Sequence, residues 1–181
     1  GWLSEIPLTK TRLNELQRSD AVIEKIRSTK RKTRDARLAK VFAKAGSDIG
    51  SLSKREFFIA GFFLYWAEGG KTTKYTITLS NTDPAMIRAF IKWLAVIDVP
   101  LHKMYIRLHL YIDMNEKAEI EYWAKVLKLP KTTFKKSYIK KSRLSELTYI
   151  TRGHGTCNVV VSGRDVSEYV MQGLKKITQL F

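Results

Sequence analysis

The stretch FFIAGFFLYWAEGGK closes an apolar helical pattern on a lone carboxylate, Glu68, with Gly69, Gly70 and Lys71 directly behind it. In the last turn of a helix a carboxylate lies at the negative end of the macrodipole, where a cation is the favoured charge. Two readings stand for Glu68. It is a solvated residue ahead of a glycine C-cap, or a compensating charge is brought to it. Lys71 and Lys74 follow closely enough to approach a phosphate backbone, or they are ordinary lysines after a helix. The other reactive side chains form no local catalytic pattern. His102, His109 and His154 lack a metal-ligand spacing; His109 is read as meeting a partner or solvent, and His154 as a turn residue. Cys157 alternates with Val159 and Val161, which assigns it to the core and not to nucleophilic work. Asp83, Asp113 and Asp165 stand at helix starts and read as caps. There is no phosphate-binding glycine loop and no nucleophile–His–acid set.

Charge narrows the partners. Lys and Arg total 33 against 17 acids, a formal +16 at pH 7. A field of that sign attracts polyanions, nucleic acid first and an anionic membrane surface second. The charge is also clustered. One cluster holds Lys30, Arg31, Lys32 and Arg34; another runs Lys131, Lys135, Lys136, Lys140, Lys141, Arg143 with no acid between. A 44% hydrophobic and 11% aromatic composition belongs to a folded chain and not a disordered one. The longest apolar run, residues 57–67, is too short for a bilayer core of about 30 Å, so no membrane partner is expected, and no signal peptide is visible. A single cysteine rules out an intrachain disulfide and a zinc site of several thiolates, and fits a reducing, cytoplasmic (nucleoid-associated) setting.

Elements must position these groups. Residues 1–50 read as a basic helical segment, with SDAVIEKIRSTKRKTRDARLAKVFAKAG opening on Ser19 and Asp20 and stopping at Gly46. Its sparse apolar residues predict a helix partly facing solvent or laid on a partner. GSDIGSLS marks the boundary to a second segment, 51–181. There Ser53 and Glu56 form a capping-box pattern before a helix over 57–68, apolar on nearly every side. YTITLS alternates as a strand with Tyr75, Ile77 and Leu79 inward. A helix follows from Asp83 and Pro84, with Ile87, Phe90, Ile91 and Leu94 as its stripe. KMYIRLHLYID puts Met104, Ile106, Leu108, Leu110 and Ile112 on one face and Tyr105, Arg107, His109 and Tyr111 on the other. A helix over 115–128, strands TTFKKSYIKK and GTCNVVVS, and a last helix capped by Ser162 with Asp165 complete the order. No internal repeat or low-complexity tract is evident.

The predicted class is α+β, a curved, mostly antiparallel sheet with helices on one face, preceded by the basic helical segment. Its free face would collect Thr76, Thr78, Tyr105, Arg107, His109 and Tyr111 with Lys135, Lys136, Lys140 and Lys141. Strands carrying such residues fit a DNA major groove.

FFIAGFFLYWAEGG resembles the signature helix of LAGLIDADG homing endonucleases, and residues 53–181 resemble that family's core in element order. Leu64, Ala67, Glu68 and Gly69 match the family's aliphatic, small, acidic and glycine positions. Upstream the helix departs. The family's small residue falls on Phe63, the triplet Ile59-Ala60-Gly61 is displaced by about half a turn, and the acid is Glu where Asp is commoner. The resemblance implies that two copies pack through Ala60, Gly61, Phe63, Leu64 and Ala67, and that each copy's Glu68 binds Mg²⁺ at a scissile phosphate. It implies double-stranded DNA as partner for the sheet face and for Arg31, Lys32 and Arg34, with no small-molecule substrate. A homodimeric, site-specific, Mg²⁺-dependent endonuclease is the first expectation. A non-catalytic DNA-binding transcriptional regulator on the same core is the alternative, and an RNA-binding splicing helper comes third. The opening WLSEIPLT also resembles the end of a helix-turn-helix recognition helix, which would imply a second DNA reader ahead of residue 1.

Overall fold

A computed structural model describes residues 9–143 and 153–181; the WLSEIPL stretch lies outside them. The chain divides between Ser51 and Leu52 into two units.

The first unit is one helix of 40 residues, α1 (Lys10–Ile49). It starts well before the expected Ser19–Asp20 cap. Thr9 is the N-cap, its hydroxyl accepting from the Arg12 N–H at 3.4 Å, which leaves Ser19 and Asp20 in the helix interior. The helix also runs through Gly46, since one interior glycine costs only about 1 kcal/mol. It ends where Gly50 takes φ +59° and donates its N–H to the Gly46 carbonyl at 2.9 Å. Val22, Ile23, Ile26, Leu38, Val41, Phe42 and Ile49 are all exposed along it, open to solvent or to a partner.

The second unit is α+β. Helix α2 (Lys54–Glu68) opens on the predicted capping box. The Ser53 hydroxyl accepts from the Glu56 N–H at 3.2 Å, and the Glu56 carboxylate accepts from the Ser53 N–H at 2.7 Å. Ser53→Ala should therefore destabilise this unit by about 1 kcal/mol in urea unfolding; an unchanged midpoint would remove the cap from its role.

After α2 come β1 (Gly69–Gly70), β2 (Thr76–Asn81), α3 (Pro84–Val96), β3 (Met104–Tyr111), α4 (Glu116–Leu127), β4 (Phe134–Lys140), β5 (Thr156–Ser162) and α5 (Arg164–Thr178). The five strands form one sheet in the order β1-β2-β5-β3-β4. Three pairings are antiparallel and β3–β4 is parallel, so the sheet is mixed. Ile77, Leu79, Met104, Ile106, Leu108, Leu110, Cys157, Val159 and Val161 alternate onto one buried face. Against it pack Phe62 and Tyr65 of α2, Ile87, Phe90, Trp93 and Leu94 of α3, Trp123 and Leu127 of α4, and Val170, Leu174 and Ile177 of α5.

Several local expectations are corrected. Tyr75 precedes β2 with φ +56° and is exposed beneath the Arg164 guanidinium, so it is not a core residue. Ile112 lies past the end of β3 and is also exposed. The α5 N-cap is Gly163, which has no side chain to cap with; Ser162 is spent as the last residue of β5, and Asp165 sits in the first turn. Asp83 does cap α3, accepting from the Ala85 N–H at 2.7 Å, but α4 is capped by Asn115 in place of Asp113. One junction also occurs twice. After α3 and again after α4 the chain passes through a left-handed residue (Asp98, Lys128), a buried or half-buried aliphatic (Val99, Leu129) and a proline (Pro100, Pro130). A 3₁₀ turn then leads straight into the parallel strand. Each copy of the device thus leads into one strand of the parallel pair β3–β4.

Candidate nucleic-acid interface

Alternation and register together define the sheet face opposite the helices. Thr78 of β2, Val160 of β5 and Tyr105 of β3 are successive partners across the strands. In the next row on this face Ser80, Asn158, Arg107 and Lys135 stand side by side. Then come Thr156, His109 and Tyr138, and finally Tyr111 beside Lys140. These side chains include three cations and no acid. A bulge in β4 places Lys136 and Ser137 together opposite Leu108. Lys136 therefore leaves the alternation and does not belong to this face, contrary to expectation. Lys141 lies beyond the end of β4, exposed in a bend.

Aromatic rings lie beneath two of the three cations of the face. The Arg107 guanidinium lies 5.9 Å from the Tyr105 ring centroid and the Lys140 ammonium 4.8 Å from that of Tyr111, both within cation–π range. His109 meets the Tyr138 ring edge to face at 5.5 Å. Burial, reinforced by the positive charges of Lys140 and Arg107, lowers the His109 pKa. At neutral pH it is an uncharged imidazole with one donor and one acceptor to offer. Asn158 adds a shielded side-chain oxygen without a hydrogen-bond partner among the described residues. Asn158, Thr156, Val160, Ser80 and Tyr138 were not expected here. The alternation that put Cys157, Val159 and Val161 inward could have found the first three.

Glu68 reaches the edge of this face through β1. Gly69 and Gly70 pair with Leu79 and Thr78, so the chain passes from helix directly into strand. Gly69 has φ −74° and ψ 143°, extended backbone and not a left-handed cap. Its glycine is needed for space, since a Cβ would lie 2.3 Å from the Tyr65 ring, and one on Gly70 would lie 2.3 Å from Thr78 Oγ1. The buried Tyr65 hydroxyl donates to the Gly70 carbonyl and clamps the junction. Lys71 Nζ donates to the Gly69 carbonyl at 2.8 Å, which brings a cation to the negative end of α2 and answers the dipole problem locally. Lys74 is exposed in the following turn. Glu68 itself is exposed, and no group of three or more His, Cys, Asp or Glu side chains able to hold a metal occurs among the described residues.

Helix α2 is not buried on every side. Gly61, Phe62 and Tyr65 face the core, while Ala60, Phe63, Trp66 and Ala67 are exposed and Leu64 is half-buried. Gly61 thus leaves the expected set of helix-pairing residues, because Trp93 of α3 lies against it.

The remaining residues fall elsewhere. Cys157 is buried, with its thiol pKa pushed up to about 12 by desolvation. His154 Nδ1 lies 2.8 Å from Glu119 and its ring stacks on Tyr122, while its carbonyl accepts from Trp123 Nε1 at 2.7 Å. Arg31 is bonded to Glu24, and Arg34 donates to Asp35 at 3.1 Å. No described helix is long and apolar enough to cross a membrane. Comparisons with protein-family models, with curated proteins and with solved structures return no match.

Proposed function

We propose that the chain binds double-stranded DNA through the open sheet face of a LAGLIDADG-like core, and that as a homodimer it is a site-specific, Mg²⁺-dependent DNA endonuclease. One observation carries this reading: an acid-free face of Arg107, Lys135 and Lys140 interleaved with Tyr105, His109, Tyr111 and Tyr138, with Glu68 delivered to its edge by the β1–β2 pairing. Cations on the face meet phosphates, and neutral His109, Asn158 and the hydroxyls meet base edges. The exposed Ala60, Phe63 and Ala67 with half-buried Leu64 give α2 a face for a second copy of itself. Two Glu68 carboxylates at paired helix ends supply hard oxygen ligands suited to Mg²⁺. The ion, when bound, neutralises charge on the phosphate and activates water.

A specific feature favours the alternative of a non-catalytic regulator. Phe63 and Trp66, 39% and 40% exposed, are bulky where closely paired helices need small residues. Helices held apart by them leave the carboxylates too distant to share an ion.

The test is incubation with a randomised duplex library in Mg²⁺ and in Ca²⁺, with sequencing of bound and cut molecules. Cut ends of fixed sequence that require Mg²⁺ support the nuclease. Enrichment of one bound sequence without cutting in either metal supports the regulator. Enrichment of no duplex overturns both. Arg107→Ala should weaken duplex binding and reduce the slope of log K against log[salt] by about 0.9, one phosphate contact. An unchanged slope would take the sheet face out of the interface.

A further inference from the structure

Helix α1 carries more charge than a solvated surface requires, and the charge is sorted by side. From Lys25 to Lys44 it has nine Lys or Arg residues and one acid, Asp35. At about 100° per residue, Lys30, Arg34, Arg37, Lys40 and Lys44 fall within an arc of about 120°. Arg31 lies about 60° beyond Arg34, on the side of Glu24 and Asp35, and Lys25 and Lys32 lie on the opposite side of the helix. Arg27, only about 20° past Arg34, borders the stripe and shares Glu24 with Arg31. Lys30, Arg37 and Lys40 make no ion pair among the described residues. Arg34 is engaged by its exposed neighbour Asp35 and Lys44 by the exposed Asp48 at 2.6 Å, pairs of a kind worth little in water. A shallow groove of about 310 Å³ follows the stripe, lined by Thr29, Lys30, Thr33, Arg34 and Arg37. Cations and hydroxyls are the donors that recognise phosphate oxygens.

We infer that this stripe of α1 is a second DNA contact, a sequence-independent site for the phosphate backbone of a duplex, resting on the DNA-binding reading of the core. Lys30 to Lys44 spans about 21 Å of helix, a length over which a duplex presents about a dozen phosphates. A lipid surface fits less well. A helix lying in a bilayer interface needs an apolar face along its length, and the segment from Ser28 to Arg37 contains no apolar residue larger than Ala36. The apolar residues Leu38, Phe42, Ala45 and Ile49 form a separate stripe about 110° away. The assignment replaces Arg31 and Lys32, named from the local charge run, with Lys30 and Arg37, and retains Arg34.

The experiment measures binding of the full chain to several unrelated duplexes by fluorescence anisotropy between 50 and 200 mM salt. It compares three variants: Lys30→Ala/Arg34→Ala/Arg37→Ala on the stripe, Lys25→Ala/Arg31→Ala/Lys32→Ala off it, and Arg107→Ala/Lys135→Ala in the core. The stripe variant should lower the slope by up to about 2.7 on every duplex, cutting the affinity change across that salt range about 40-fold. The off-stripe variant, with equal charge loss, should change it far less. Alanine favours helix at each position, and circular dichroism checks that α1 survives. Equal effects of the two α1 variants would reduce the site to bulk charge and overturn it. So would a stripe variant that keeps the parental slope, or that loses only its binding to phosphatidylserine vesicles. A core variant with an unchanged slope sinks the sheet-face reading alone, because the stripe's own slope change is read separately.

Discussion

Replacing Glu68 by Gln is expected to abolish Mg²⁺-dependent cleavage while leaving duplex affinity unchanged or improved. The two side chains have nearly the same shape, so the Ser53 cap, the Tyr65–Gly70 clamp and the Lys71–Gly69 contact have no reason to move. What disappears is one negative charge at an exposed position beside the open sheet face. A neutral amide oxygen is a weaker ligand for a hard divalent ion than a carboxylate, and without the ion the charge developing on the phosphate is unsupported. Loss of a group that stabilises transition-state charge costs at least about 10²–10³ in rate. Binding responds with the opposite sign, since removing a carboxylate near phosphates relieves repulsion. Single-turnover cleavage in Mg²⁺ and anisotropy in Ca²⁺ separate the two effects. A parallel fall in affinity would assign Glu68 to the architecture of the interface and not to chemistry. Wild-type protein that binds one sequence without cutting it would leave Glu68 as an ordinary helix-end residue, compensated by Lys71.

Much of the core was legible because its signals are local. The strict alternation of MYIRLHLY separates Met104, Ile106, Leu108 and Leu110 from Tyr105, Arg107, His109 and Tyr111, and a period of two permits no other sorting within one sheet. Ser53 with Glu56, and Asp83 with Pro84, mark helix starts because their hydrogen bonds close within three residues. Failures come where the deciding partner is distant in sequence. Lys136 looks identical to Lys135 in the chain, and only the bulge opposite Leu108 removes it from the face. The parallel pairing of β4 depends on the crossover through α4, which strand composition does not encode. Gly61 reads as a helix-pairing glycine until Trp93, from another helix, is found against it. Charge runs mislead in the same way. Lys30, Arg31 and Lys32 are consecutive, yet the helix turns them to different sides, and Glu24 claims Arg31.

Gly61→Ala is expected to be strongly destabilising, because an added Cβ makes the shortest contact of any described glycine position, and it tests how Glu68 is held in place. A Cβ at this position would lie 1.8 Å from Trp93 Cδ1 and 2.1 Å from Cγ, which no small adjustment of α2 relieves. Trp93 has little freedom to yield. It is fully buried, its Nε1–H donates to the Phe58 carbonyl at 3.0 Å, and its ring packs against Phe62, Tyr65 and Phe90. The helix gains about 1 kcal/mol from replacing glycine by alanine, while overpacking costs about 1–3 kcal/mol and more when a rigid ring is displaced. Displacement also breaks the Trp93 hydrogen bond, which leaves a buried donor unsatisfied at a further cost of about 1–3 kcal/mol. The net loss should be about 1–5 kcal/mol in urea unfolding. Trp93→Leu alone is destabilising, but in the double variant the leucine makes room for the methyl. The two changes should therefore couple favourably by at least about 1 kcal/mol. Additive losses would show that the glycine is not there for Trp93. Where the double variant folds, its cleavage rate reports on the site. The Trp93 contact anchors the middle of α2, whose end carries Glu68, so recovered stability with persistently low cleavage would mean that α2 has shifted and taken the carboxylate with it.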